Sequence, residues 1–337
     1  MKKLGFAGLT AFICLASALP LMAQAQPNAT EACNNKVRAY LAKPEDTKLF
    51  DDFVNDATCK DSMYREGAYS SMMQQLVPPK GQKWKEAYDL SNRYEKEVPN
   101  KTDQIKKYII PMGLTAASQL GEIDKILEMG EKVLVIEPAD LNAMVILSNA
   151  LPEKYPSLTD QAAKDKNLNR AQELAKKLIA MPRIQQLDEK TWQTSVVGPA
   201  HAVLGFVALQ RTQYQESSDE YEQATKIVPK DQMSWFRGGL AKVYIATAAQ
   251  KPLKDLYDQA NDLRGKDGYD AAVEKRDAAV KEYTEKRDAA MDSLATAAAM
   301  GGAVGDAAKM QLQKLWEPIH DNTTTGMDDF IAKHKIQ

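Results

Sequence analysis

Three histidines, His201, His320 and His334, are the residues of this 337-residue chain best suited to proton transfer or metal binding. None has a second histidine, a cysteine or a paired carboxylate at metal-ligand spacing in its own segment, so the pattern supplies no metal site and calls for no cofactor. The run Gly301-Gly302-Ala303-Val304-Gly305 could cradle a phosphate, but no Lys-Ser or Lys-Thr follows Gly305, and it reads as a helix terminator. A Gly-x-Ser-x-Gly elbow and a Ser-x-x-Lys nucleophile are both missing from the sequence. The acidic residues lie among bases, as on solvated helix faces, rather than as a carboxylate pair. These residues offer recognition rather than catalysis, and the chain is expected not to be an enzyme.

The two ends of the chain set its surroundings. Met1-Lys2-Lys3 is followed by an apolar stretch, Leu4 to Met22, and then by the small-x-small pattern Ala23-Gln24-Ala25. That is the form of a cleaved signal peptide over residues 1–25, the alternative being a retained anchor. Cys14 lacks the small residue expected before a lipidated cysteine. The mature chain is expected to start at Gln26, outside the cytoplasm, in the periplasm or secreted. After Ala25 no segment is long and apolar enough to span a bilayer. Removing Lys2 and Lys3 from 44 basic and 46 acidic residues leaves a net charge of −4, dispersed along the chain. This excludes the basic footprint that nucleic acid requires. Cys33 and Cys59 remain as an even pair, which in an oxidising compartment suggests one disulfide within an N-terminal helical segment, 26–66. A metal or redox centre is the less supported alternative, because neither cysteine has a partner at ligand spacing.

From residue 67 to 265 the sequence organises itself into paired amphipathic helices. With Gly198 as position one, Leu204 and Gly205 fall seventh and eighth, Ala208 eleventh, Tyr214 seventeenth and Ser217 twentieth. Tyr221, Ala224 and Pro229 then occupy the twenty-fourth, twenty-seventh and thirty-second places. Leu204, Ala208, Tyr221 and Ala224 form one apolar stripe per helix. Gly205 and Ser217 are small where the two helices must cross, and Pro229 stops the second. The segment Lys107–Asp140 keeps the register, with Ala117, Gly121, Ile123, Ile126, Gly130, Val133 and Pro138 at the corresponding places. Trp84, Ala87, Ser91, Tyr94 and Pro99 repeat the second half alone. Leu147 and Ser148 open a further unit whose second helix, with Leu168, Ala171, Ala175 and Leu178, arrives about eleven places late. An inserted loop over Lys154–Asn167 is therefore expected. Pro111 should start or kink its helix. In the unit opened by Trp235 and Gly239, Lys242 stands where an apolar residue belongs.

These residues resemble the tetratricopeptide repeat, a helix–turn–helix unit of about 34 residues that stacks into a solenoid. The resemblance implies an all-α, helix-turn-helix solenoid with a C-terminal helical extension. It also implies ligand-contacting side chains on the first helix of each unit. Carried onto this sequence, those places hold Tyr108, Thr115 and Gln119, then Asn142, Val145 and Asn149, then Ala202, Phe206 and Gln210, then Met233, Phe236 and Tyr244. The set is neutral and largely apolar, which argues against capture of a chain-terminal carboxylate. It suits a helix or extended segment of a partner protein. The alternative is that the chain's own C-terminal helices fill that groove, leaving Phe206 and Phe236 as core. His201, at the fourth place of the best repeat, is expected to pack rather than react.

Residues 266–337 differ in character. Glu274-Lys275-Arg276-Asp277-Ala278-Ala279-Val280 returns as Glu285-Lys286-Arg287-Asp288-Ala289-Ala290-Met291 in a long charged helix. It either projects to recruit a partner or is an over-long repeat helix with a solvated face. Ala290, Leu294 and Ala297, before Gly301-Gly302, resemble the second helix of a last repeat. Two short helices, around 307–316 and 327–335, carry Leu312, Leu315, Trp316, Met327, Phe330 and Ile331 as a cap over the stack's end. The functional expectation is a scaffold or adaptor in the bacterial cell envelope. Its rival is a periplasmic binding protein for a small molecule or glycan.

Overall fold

A computed structural model describes residues 31–99 and 101–336. The expected signal peptide and the mature N-terminus at Gln26 lie outside the described residues. The described residues contain no β-strand, and they fold as two compact units divided between Ser157 and Leu158. In each unit, helices pack on their neighbours in chain order, as a helical solenoid requires.

The first unit contains α1 (Glu31–Ala42), α2 (Thr47–Val54), α3 (Tyr64–Leu76), α4 (Trp84–Glu97), α5 (Asp103–Leu120), α6 (Ile123–Ile136) and α7 (Leu141–Lys154). Asp46 starts α2 by accepting from the amides of Lys48 and Leu49, and Asp140 starts α7 by accepting from Ala143 N at 2.7 Å. One row of rings runs through the core: Tyr40 to Phe50 at 5.9 Å, Phe50 to Tyr69 at 5.2 Å, and Tyr69 to Tyr94 at 5.8 Å. The row ties α1 through α4 together with edge-on contacts that rings prefer. Cys33 of α1 is bonded to Cys59, in a 3-10 turn at Ala57–Cys59, with Cα atoms 5.3 Å apart. A cysteine pair at disulfide distance fits an oxidising compartment. Pro111 neither starts nor stops its helix: α5 begins eight residues earlier and continues nine beyond it. Thr115 Oγ1 donates to Pro111 O at 3.0 Å, a contact within the same turn.

The second unit contains α8 (Gln161–Ala180), α9 (Glu189–Trp192), a π-helical turn (Gln193–Val197), α10 (Gly198–Gln210), α11 (Tyr214–Ile227) and α12 (Gln232–Gln250). After these come α13 (Leu253–Asp262), α14 (Tyr269–Ala299), α15 (Gly302–Trp316) and α16 (Met327–Lys333). The expected loop over Lys154–Asn167 is largely helix. Asp160 caps α8 through Ala163 N at 2.7 Å, so the extra residues lengthen α8 at its start. The π turn leads from α9 directly into α10 at Gly198.

The small residues at the α10–α11 crossing act as their spacing predicts. Ser217 Oγ donates to Gly205 O at 2.9 Å. A Cβ on Gly205 would stand 2.9 Å from the Tyr221 ring, and one on Gly238 of α12 would stand 3.0 Å from Tyr221 Cβ. The partner of α12 is α14 rather than α13, with Gly239 lying against Leu294. Ala290, Leu294 and Ala297, all fully buried, thus belong to the second helix of a hairpin interrupted by α13 and the start of α14. This hairpin straddles residue 265, where the sequence pattern changes. Leu312, Leu315, Trp316, Met327, Phe330 and Ile331 join one cluster with Leu294 and Ala297 at the end of the unit.

Two outcomes are expected. Gly205→Ala should destabilise the protein by about 1–3 kcal/mol in urea unfolding, despite alanine's better helix propensity, because the Tyr221 ring must move; an unchanged midpoint would refute the close crossing. Intact-mass measurement should find Cys33 and Cys59 alkylated only after reduction, and Cys33→Ser should cost about 3 kcal/mol.

Candidate partner-binding faces

The candidate positions on α5 and α7 fall into two half-exposed stripes. On α5, Tyr108, Met112, Thr115 and Gln119 follow one another at helical spacing; on α7, Asn142, Ile146 and Asn149 do the same. Tyr108 is half-buried, and that burial pushes its hydroxyl pKa up. The side-chain amides of Gln119, Asn142 and Asn149 have no hydrogen-bond partner among the described residues. Each amide carries both a donor and an acceptor, which is what the backbone of an extended segment needs. Val145 does not share the stripe; it is 4% exposed and belongs to the core.

In the second unit the candidates separate. Gln210 is exposed on α10, while Met233 and Tyr244 on α12 are 38% and 47% exposed. Tyr244 stacks on Tyr214 of α11, with centroids 4.5 Å apart and planes 19° apart. Met233 and Tyr244 bracket Arg237 and Leu240 on the same side of α12. Phe206 is buried, with the Arg237 guanidinium 4.9 Å above its ring. Phe236 packs against the cluster formed by α14, α15 and α16. Both phenylalanines are therefore held by the chain's own side chains. Met112, Ile146, Tyr214, Arg237 and Leu240 were not among the candidate positions; a shift of four along the same helix reaches all but Tyr214, which lies four residues past Gln210 but opens the next helix. His201 pairs with Glu220 at 2.6 Å, a packed and partnered ring.

Two recesses lie away from these stripes. An open groove of about 500 Å³ between α4 and α6 is lined by Tyr88, Asn92, Arg93, Glu95, Lys96 and Lys132. Its charges are largely spent on one another: Lys132 is bonded to Glu95 and, at 2.8 Å, to Glu128, while Arg93 pairs with Asp51 at 2.8 Å. The other recess, where α11, α12 and α14 meet, holds about 20 Å³, room for a water molecule and no ligand. Lys242 Nζ enters this seam and donates to Ser293 Oγ at 2.9 Å. Burial pushes the Lys242 ammonium pKa down from 10.5, against the opposing pull of Glu222, Asp292 and Asp219. The out-of-pattern lysine is thus a cation taken into a helix seam. Among the described residues, no group of three or more His, Cys, Asp or Glu could hold a metal, and no helix is long and apolar enough to cross a membrane. In comparisons with known proteins, no family model matches the chain and no curated protein matches it.

A lysine whose folded-state pKa is depressed costs stability at neutral pH, and the cost is relieved as pH rises towards its unfolded value. Lys242→Met should therefore raise Tm by about 2–4 °C at neutral pH, with a smaller gain near about pH 10. Ser293 would keep its bond to Ala289 O at 3.1 Å. A lower Tm for the variant would mean that the ammonium is a net stabiliser.

Proposed function

We propose that this protein is a non-enzymatic scaffold or adaptor of the bacterial cell envelope, periplasmic or secreted, built from repeats of the tetratricopeptide kind. Its first-helix faces bind helical or extended segments of partner proteins. The observation that carries this reading is the α5–α7 surface, where the unpartnered amides of Gln119, Asn142 and Asn149 lie beside Tyr108, Met112 and Ile146. Amides at that spacing hold a partner's backbone whatever its sequence, and the neighbouring apolar side chains select for apolar residues. Neutral residues at these places fit an internal segment better than a charged chain terminus.

A second reading, a binding protein for a small or glycan ligand, draws on the stacked and partly exposed Tyr214–Tyr244 pair, since paired ring faces suit sugars. The α4–α6 groove adds little to it, because its charges are largely engaged internally.

Cross-linking in envelope fractions followed by affinity capture separates the two. The unaltered protein should retain specific proteins, and Asn142→Ala with Asn149→Ala should lower that recovery about tenfold while circular dichroism stays unchanged. Recovery that is identical in the variant, or no better than background for the unaltered chain, would overturn the scaffold reading. Loss of glycan binding on Tyr244→Ala would instead support the second.

A further inference from the structure

Two of the three histidines lie at the ends of one aromatic row in the C-terminal cap. His320 stacks on Trp316 with centroids 3.8 Å apart and planes 7° apart. Trp316 meets Phe330 at 5.2 Å, and Phe330 meets His334 at 4.5 Å. His334 has both ring nitrogens engaged: Nδ1 lies 2.8 Å from Phe330 O, and Nε2 lies 3.1 Å from Asp292 Oδ1 on α14. A carbonyl and a carboxylate only accept hydrogen bonds, whereas a neutral imidazole has one N–H to give. Only the imidazolium completes both contacts.

We propose that the C-terminal cap is an acid-tightened latch, in which protonated His334 bridges Phe330 and Asp292 to hold α16 on α14, and loss of that proton loosens α16. The element lies over the end of the second unit. Its Met327 is 2% exposed, and Phe330 and Ile331 pack on the cluster that contains Leu312 and Trp316. Loosening α16 therefore uncovers the apolar end of a helical stack, the surface on which another helical element would pack.

The charges around the ring leave the bridge to Asp292. From α12, Lys242 lies within Coulombic reach of Asp292 and donates its hydrogen bond to Ser293 instead. From α15, Lys309 is committed to Asp328 at 2.7 Å, and Glu317, just beyond it, accepts from Gln313 Nε2 at 2.5 Å. On α16 and its end, Asp329, Lys333 and Lys335 flank the ring in sequence and make no bond to it. The sign follows from the bridge: an imidazolium gives a proton to both acceptors and a neutral ring to only one, so α16 is held more tightly in acid than in alkali.

Hydrogen exchange of the mature chain, followed by mass spectrometry at about pH 5.5 and about pH 8, tests the latch. Each variant is compared with the unaltered protein at the same pH, which cancels the intrinsic exchange rate. At the acidic pH, His334→Gln and Asp292→Asn should each speed exchange in Met327–Lys333 roughly threefold, and at the alkaline pH the difference should close. In the unaltered chain, protection of α16 relative to α15 should fall by a similar factor between the two conditions. A difference of equal size at both pH values, no difference at either, or constant relative protection would overturn the proposal.

Discussion

One aromatic ring, Tyr221, sets the spacing of three helices in the second unit. Gly205 of α10 lies against one part of the residue and Gly238 of α12 against another, so close that a methyl carbon there would stand 2.9 Å and 3.0 Å from it, inside carbon–carbon contact distance. Tyr221 is 1% exposed, so the ring is cover for both neighbours and is covered by both. Ser217 adds a hydrogen bond to the Gly205 carbonyl at the same crossing. None of these helices could hide its apolar face alone, since two helices joined by a short turn bury one seam and expose the opposite sides. Stacking supplies the missing cover. The first unit solves the same problem differently, with rings in sequence from Tyr40 to Tyr94 and a disulfide tying α1 to the turn before α3.

That constraint divides the surface into two kinds of position. Side chains that meet the next helix are fixed by packing, and those on the remaining stripe of each helix stay at least partly exposed. Phe206 and Phe236 look alike as sequence, both large and apolar at candidate partner-facing places. The structure puts Phe206 beneath Arg237 and Phe236 against the terminal cluster, while Met233 and Tyr244 stay on the open side of α12. The distinction arises from which neighbour each face meets. It depends on α14 returning to α12, a contact between residues about fifty positions apart.

This also explains how far the sequence could be read. Short-range features were legible: small residues at crossings, Pro229 beyond α11, the cysteine pair, and the apolar cap around Trp316. Pro111 allowed two readings, a helix start or a kink, and the start is excluded because an N–H absent at one position can be tolerated inside a helix whose neighbours hold it on several sides. The stretch after Lys154 misled because Asp160, a capping residue, was read as loop when it starts a longer helix. The position of Lys242 looked like a failure of the pattern and is a seam cation hydrogen-bonded to Ser293, a partner distant in the chain. The amide stripes on α5 and α7 were half-legible. Their polar members stood at the expected places, whereas Met112 and Ile146 complete the stripes only when the exposed side of each helix is known.

The eleven-residue echo in α14 isolates the cause most cleanly, because nearly the same heptapeptide meets two environments in one helix. In the first copy, Ala279 and Val280 remain half-exposed; in the second, Ala290 and Met291 are buried at 0% and 6%. Intrinsic helix propensity and local ion pairs are almost identical in the two copies, so neither can account for the difference. What changes is the neighbour. The later copy leads into the turns where Leu294 packs against Gly239 of α12, while the earlier one lies beside α13, whose Tyr257 offers a ring to Arg276 at 5.3 Å and little core. A helix in such a stack does not carry its burial in its own sequence. It receives it from whichever helix folds back beside it, and the surface left exposed is whatever that return leaves uncovered.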